Sequence, residues 1–575
     1  MLESRHLVAS ERAHAIIYHP TAMNAVWSAF TALPLVLPLV GALALWLLPS
    51  GSLLMRFRRR AAALILALTV LLLGADLITG ASISFPFWQP LFAAGGRLAF
   101  AADPLGGGLG LLCTLTVALV CAAAIARPLE RFEAVGMMWV ASSATAIALA
   151  ANLLTLCLAW VMMDLGLLFV DTVRAPEEGI ARAVRNAFGG LLSSAALVAG
   201  TAAALPQDIG GSPLAALTPD GLPLKLLMLA ALLRLGVYPL PGSLKRNWLA
   251  YLAAVCTGSY LWLRVATLAP AALPWAGWLL PLGTAALLAS GALALLAPDF
   301  ATALPAMLLN GLTLVVLAPL VDRTFGVGVA LAGAANLALS LAVLRADGQV
   351  RPFGPLGRWA RAPLALAVGS LVGWPGTLGF TAHWLFLRLC WIGGQRGLLL
   401  VASVSMMLAA APAWSRLQQV LREVLHPDAP SRSMAWIAFG AAALGAALLV
   451  ILGLTPTLFG FIWPDTPGLV RPTLLTMFSA DLVQFAALLL TAVIVPAVGS
   501  HALQGLWDTI SYRYGRLADA LSGLLELDWL HAGLELVLSR LAAIATRTMA
   551  AVEESLYLGW ALLWVLVVGL YLVGR

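Results

Sequence analysis

Arg234 lies deep in an apolar stretch, LLMLAALLRLGVYPLP (226–241). A charge at membrane depth is costly and therefore marks a structural or functional requirement. Pro239 and Pro241 follow it closely, and a proline interrupts the helix ladder. A buried cation beside a broken helix suits the movement of ions near the bilayer midplane. Asp76, Asp103, Asp164, Arg264, His383 and Asp481 also lie in apolar runs. Proton passage needs titratable groups at such depth, close enough to relay through water. Other chemistries find no residues here: the chain has no Walker A loop, no dinucleotide-binding glycine fingerprint, no metal constellation and no nucleophile elbow. Cys113, Cys121, Cys157, Cys256 and Cys390 are scattered without a Cys-x-x-Cys pair, which argues against iron–sulfur or zinc ligation.

Such residues have to be positioned by membrane helices. The chain has 575 residues, 62% hydrophobic and 10% charged, with mean hydropathy +0.96. A soluble protein of this length could not hide that much apolar surface. The apolar runs predict about 16 spans, near 25–48, 61–80, 105–126, 134–151, 153–171, 187–205, 223–240, 248–268, 275–297, 302–321, 327–345, 362–390, 398–413, 434–456, 481–499 and 556–574. The first 24 residues are polar and show no cleavable signal pattern. The net charge of +7 does not suggest nucleic acid, because the arginines cluster in short loops such as RFRRR (56–60) and RPLER (127–131), whereas 206–223 has no Lys or Arg. That alternation predicts basic loops in the cytoplasm and both termini outside. From 501 to 555 the chain is too polar to span. Leu517, Leu521, Leu524, Leu534, Leu538 and Leu541 recur there at helical spacing, which predicts a long amphipathic helix lying along the membrane or against other helices.

Several segments, taken in order, resemble the antiporter-like membrane subunits of respiratory complex I, of Mrp-type cation/proton antiporters and of membrane-bound hydrogenases. They are LAFAADPLGGGLGLL (98–112), NLLTLCLAWVMMDLG (152–166), LLRLGVYPLP (232–241), TGSYLWLR (257–264), GWPGTLGFTAHW (373–384) and ILGLTPTLFG (451–460). The resemblance covers roughly 25–460, and the lateral helix with a last span is similar to the longest members. It implies an all-α polytopic membrane protein with two inverted five-helix repeats, each holding one broken helix, at Pro239/Pro241 and at Pro375/Gly376. The organisation expected is a polar segment (1–24), helices 1–3 (25–130), a first repeat (131–270), a second repeat (271–415), helices 14–15 (416–500), the lateral amphipathic helix (501–555) and the final span (556–575).

The family uses a glutamate on helix 5, lysines on helices 7, 8 or 11, and a lysine or glutamate on helix 12. Here Val161 stands at the glutamate position, and Asp164, one turn on and nearly on the same face, either substitutes for it or hydrogen-bonds a neighbouring helix. Arg234 occupies the helix-7 lysine position. A buried lysine can lose its proton whereas arginine stays charged, so an Asp164–Arg234 ion pair is expected. Lys225 reads as a snorkelling residue. On helix 11, Asn336 stands for a histidine and Ser340 for a lysine; both could hold water without titrating. Asp299 remains from an Asp-x-Lys pattern. His383 takes the helix-12 position and titrates near neutrality, the alternative being a histidine satisfied by a backbone carbonyl. Asp103 and Arg264 match positions that look structural, and Asp76 and Asp481 are expected to face an interface.

The resemblance implies a membrane subunit of a complex I-like or Mrp-like assembly that takes part in proton or cation/proton translocation coupled to electron transport. A non-conducting scaffold, and the membrane half of another gradient-driven uptake system, are the alternatives. It implies no cofactor bound by this chain, at most a non-catalytic subunit of an oxidoreductase, a bacterial-type inner membrane, and the bilayer, other membrane subunits and a soluble redox module as partners.

Overall fold

The computed structural model describes residues 22–48, 52–80, 82–85, 98–126, 131–174, 179–204, 214, 221–237, 248–269, 273–297, 300–347, 360–422 and 432–456, with scattered positions between 502 and 547. The chain divides into two compact units, Met1–Asp508 and Thr509–Arg575. In the first unit the helices are α1 (Ala22–Leu47), α2 (Ser52–Thr79), α3 (Pro104–Ala123), α4 (Arg131–Leu149), α5 (Leu153–Arg174), α6 (Gly179–Ala204), α7 (Gly221–Leu235), α8 (Trp248–Leu268), α9 (Ala276–Leu296), α10 (Phe300–Val321), α11 (Arg323–Asp347), α12 (Ala362–Leu371), α13 (Leu378–Ile392), α14 (Arg396–Arg422) and α15 (Arg432–Leu454). Leu- and Ala-rich runs form helices readily, and in lipid a helix is the form that satisfies every backbone group within one segment.

Ten of these helices are long and apolar enough to cross a membrane, among the described residues. The chain is a multi-pass membrane protein. α1, α6, α7 and the α12–α13 pair occupy the other spans expected up to 456. The expected spans 481–499 and 556–574, with Asp481, Pro239, Pro241 and Asp299, lie outside the described residues. In the second unit, α16 (Gly515–Glu526) is a helix whose Leu517, Leu521 and Leu524 are exposed.

Burial separates central from peripheral spans. The most apolar window of α8 is 94% buried and that of α11 is 89%, whereas that of α2 is 28%. α11 packs on α3, α8, α10, α12, α13 and α15. Both helices are therefore shielded from lipid and can carry polar side chains. Within α8 the backbone widens into a π turn at Ala254–Gly258, a local expansion that often accompanies functional sites.

Each helix end that bears on the site has its own cause. Asp103 caps α3, accepting from the Gly106 N–H at 2.7 Å, with Pro104 in the first turn. α7 ends at Leu235, and Gly236 turns left-handed at φ 61, so the interruption begins before the two prolines, at a glycine end. The break between α12 and α13 spans 372–377, with Gly373 at φ 80 and Gly376 at φ 81, and Thr377 restarts the helix as its cap.

Residues 82–85 and 98–101 form a strand pair that hydropathy alone does not predict. β1 (Ser82–Phe85) pairs antiparallel with β2 (Leu98–Ala101), Ser82 opposite Ala101. Phe100 bridges to Ala150, the Ala151 N–H donates to Ala99 O at 2.9 Å, and the Ala99 N–H donates to Thr155 Oγ1 at 3.0 Å. The hairpin is tied to the α4–α5 corner, which gives its edge strand partners it would otherwise lack.

Candidate functional site

Two polar clusters interrupt the apolar interior. In the first, Arg234 on α7 donates from Nη1 to Asp164 Oδ1 on α5, and Ser194 on α6 donates to Asp164 Oδ2. The two charged side chains are 3% and 4% exposed. Trp160, one turn before Asp164, presents its ring 4.5 Å from the Arg234 guanidinium carbon, an orientation that stabilises a desolvated cation. The indole N–H donates to Ser193 Oγ at 3.2 Å, and Ser193 Oγ donates to Ala230 O at 2.7 Å.

Glycines admit the pair. A Cβ at Gly190 would stand 2.8 Å from Asp164 Oδ1, and one at Gly258, the last residue of the π turn, 3.1 Å from Arg234 Cγ. The sequence reading put Val161 and Asp164 on nearly one face. The structure separates them: Val161 is 38% exposed while Asp164 is buried with Trp160 and Met163. Three residues advance a helix by a little less than a turn, and that offset is enough to move from the buried face to its edge. Lys225 is exposed.

The second cluster lies among α10–α13 and α14. Asn336 on α11 accepts at Oδ1 from Ser370 Oγ at 2.6 Å and from Ser340 Oγ at 3.4 Å. Ser370, in the last turn of α12, also accepts the Gly379 N–H of α13 at 3.1 Å. The donor freed by the helix break is thus satisfied by a side chain of the preceding half-helix. Asn310 on α10 donates to Ser405 Oγ at 2.5 Å and Ser290 Oγ at 3.0 Å. Asn310, Asn336 and His383 share the wall of a cavity of about 20 Å³, otherwise lined largely by side chains such as Leu314, Phe386 and Met406. That is room for about one water. Neither Asp164 nor Arg234 lines it.

His383 is 7% exposed, and its Nδ1 has no hydrogen-bond partner among the described residues. Gly373 abuts it: a Cβ there would lie 2.6 Å from Nδ1. Asp103 and Arg264 form another charged contact, with Arg264 Nη2 donating to Asp103 Oδ2 and the guanidinium carbon 5.2 Å from the Tyr260 ring centre. It ties the first turn of α3 to α8. No group of three potential metal-ligating side chains occurs among the described residues.

Asn310, Ser370 and Ser194 are absent from the sequence reading. Asn310 carried a visible signal, a lone amide inside PAMLLNGLTLVVLAPL (305–320). The serines carried none, since a helix tolerates a serine bonded to its own backbone.

No protein-family model and no curated protein matches the sequence. Solved structures do. A chain of the Mrp complex from Dietzia sp. DQ12-45-1b is 20% identical with TM-score 0.67, over 91% of this chain and 63% of that one. A chain of respiratory complex I from Thermus thermophilus with bound NADH is 21% identical with TM-score 0.62, over 77% of this chain and 100% of that one. The fold is that of an antiporter-like membrane subunit. A chain of the membrane-bound sulfane sulfur reductase, an archaeal respiratory membrane complex, shares this antiporter-like fold at 15% identity and TM-score 0.62, over 89% of this chain and 99% of that one. The chain spans 63% of the length of the Mrp-complex chain it matches.

Proposed function

We propose that this chain is a membrane subunit of a multi-subunit complex and takes part in moving protons across the bilayer. The observation that carries this reading is the shared cavity: His383, a group able to gain and lose a proton, borders the same water-sized space as Asn310 and Asn336. Two amides can orient a water toward an imidazole, whose ring nitrogen can accept a proton from that water and return it. The Asp164–Arg234 pair acts as a fixed element on this reading. Arginine keeps its proton, and the pair is held by Ser194 and Trp160, so its part is to shape the field rather than to carry charge. The antiporter-like fold supports partners in the membrane, because the similar chains come from an Mrp complex, a respiratory complex I and an archaeal respiratory membrane complex. A soluble redox module that drives the movement, and a bacterial-type inner membrane, extend the same proposal.

A second reading, a scaffold without its own path, is favoured by one feature: Asn336 and Ser340 are both neutral. Proton flux into liposomes containing the isolated complex separates the two. Under conduction, His383→Gln lowers flux at least about tenfold while the complex stays assembled. Unchanged flux in an assembled His383→Gln complex would leave the scaffold.

A further inference from the structure

A buried carboxyl outside both clusters has no role in this scheme. Asp76 belongs to α2, whose buried side is a stripe of Ala62, Leu66, Thr69, Leu73 and Asp76. The opposite side exposes Leu64, Leu68, Leu71 and Ile78. Asp76 is 5% exposed, so it faces the protein interior rather than the interface expected of it, and its Oδ2 has no hydrogen-bond partner among the described residues. Its neighbours on α2 fix its depth. Leu77 packs on Gly107, where a Cβ would lie 2.6 Å from Leu77 Cδ1, and Leu73 lies beside Gly110. The glycines of α3 let α2 approach closely on either side of Asp76 in the sequence.

Among the described residues, the elements packed on α2 offer it no counter-charge. α1 has no ionisable side chain, and α4 has Arg131 and Glu133 at its far end, where Glu133 meets Arg345 at 3.5 Å. α3 contributes only Cys113 and Cys121, and its cap Asp103 is engaged by Arg264 and the Gly106 N–H. On α2 itself, Arg58 and Arg59 lie at the opposite end and donate to Leu48 O and Ile125 O. An ionised carboxylate there would be an uncompensated buried charge, which is strongly destabilising. A carboxylic acid avoids that by keeping its proton.

We propose that Asp76 is a proton-binding site: in the folded protein its carboxyl holds a proton and exchanges it through the membrane face at which α2 ends. That face is near, since α2 stops at Thr79 and Gly80 turns left-handed at φ 61. The exchange is simple acid dissociation, the O–H bond breaking to leave a carboxylate and transfer its proton to water. The site lies on an element that contributes nothing to the His383 cavity, so it stands whether or not that cavity conducts.

The test treats the full chain, in mild detergent, with the lipid-soluble reagent dicyclohexylcarbodiimide, which forms adducts with protonated carboxyls. Peptide mass spectrometry then locates the adducts. The expected result is modification of Asp76 but not of the ion-paired Asp103 and Asp164, diminishing as pH rises by about tenfold per unit beyond the midpoint, and absent in Asp76→Asn. Infrared difference spectra of the same two proteins provide a second readout that needs no reagent access. The expected difference is the carbonyl stretch of a protonated acid, lost in Asp76→Asn, and that loss supports the site even without an adduct. Absence of both adduct and band, or an adduct at Asp76 that does not vary with pH, would overturn the proposal.

Discussion

Arginine in place of a titratable amine limits what an intramembrane ion pair can do. The guanidinium of Arg234 is bonded to Asp164 and stacked near Trp160, and it has no neutral form to visit near physiological pH. Asp164→Asn leaves that cation buried without its counter-charge. Removal of one partner of a buried pair costs about 3–5 kcal/mol, so the variant is expected to lose much of its folded population in a detergent thermal melt. Ser194→Ala removes only the second bond to the carboxylate, for about 1.5–3 kcal/mol, and its melt should fall between that of Asp164→Asn and the unmodified chain. Equal melts for all three would show that the pair contributes nothing to the fold. The sequence exposed both charges because each stands alone in an apolar run, but not their bond to Ser194, whose type is common in helices.

At the scale of an element, the break between α12 and α13 carries the argument. Gly373 and Gly376 have almost the same left-handed backbone, φ 80 and φ 81, so alanine at either is strained by about 1–2 kcal/mol. Their surroundings differ. A Cβ at Gly373 meets His383 Nδ1 at 2.6 Å, whereas at Gly376 the nearest atom is Leu454 Cδ2 at 3.8 Å. Both variants should therefore melt earlier, Gly373→Ala by more because of the added clash, and only Gly373→Ala should also lower proton flux, by displacing the imidazole. Equal flux in the two variants would separate the break from His383. The glycines and Pro375 made the break legible in the sequence. The hairpin of β1 and β2 was not, because two four-residue strands give too short a pattern to stand out beside apolar helices.

For the whole molecule, the antiporter-like fold predicts company. Isolation from the native membrane in mild detergent should recover other membrane subunits with this chain, and flavin or iron–sulfur proteins if the assembly is redox-driven. Recovery of a lone chain would remove the complex-subunit reading. The exposed leucines of α16 are part of a separate compact unit, and their deletion offers a further check: loss of co-purifying subunits with the His383 cavity intact would assign that unit to assembly. Among the described residues, the buried polar groups also differ between regions, with a charged pair around α5–α7 and a set without ion pairs around α10–α13, an asymmetry that a count of spans does not reveal.

By itself the sequence determined that this is a multi-pass membrane protein, where its spans up to 456 fall, and which residues are costly at membrane depth. Those conclusions follow from hydropathy and from the energetic penalty on buried charge, both local properties of a chain in lipid. Only the tertiary structure decided that Ser194 joins the Asp164–Arg234 pair expected from the sequence, that His383 shares a cavity with Asn310 and Asn336, and that Asp76 points inward. In a membrane helix almost every face is apolar, so periodicity says little about which face meets which neighbour. That choice is made by close packing at small residues such as Gly107, Gly190 and Gly258, where helices approach because no side chain intervenes.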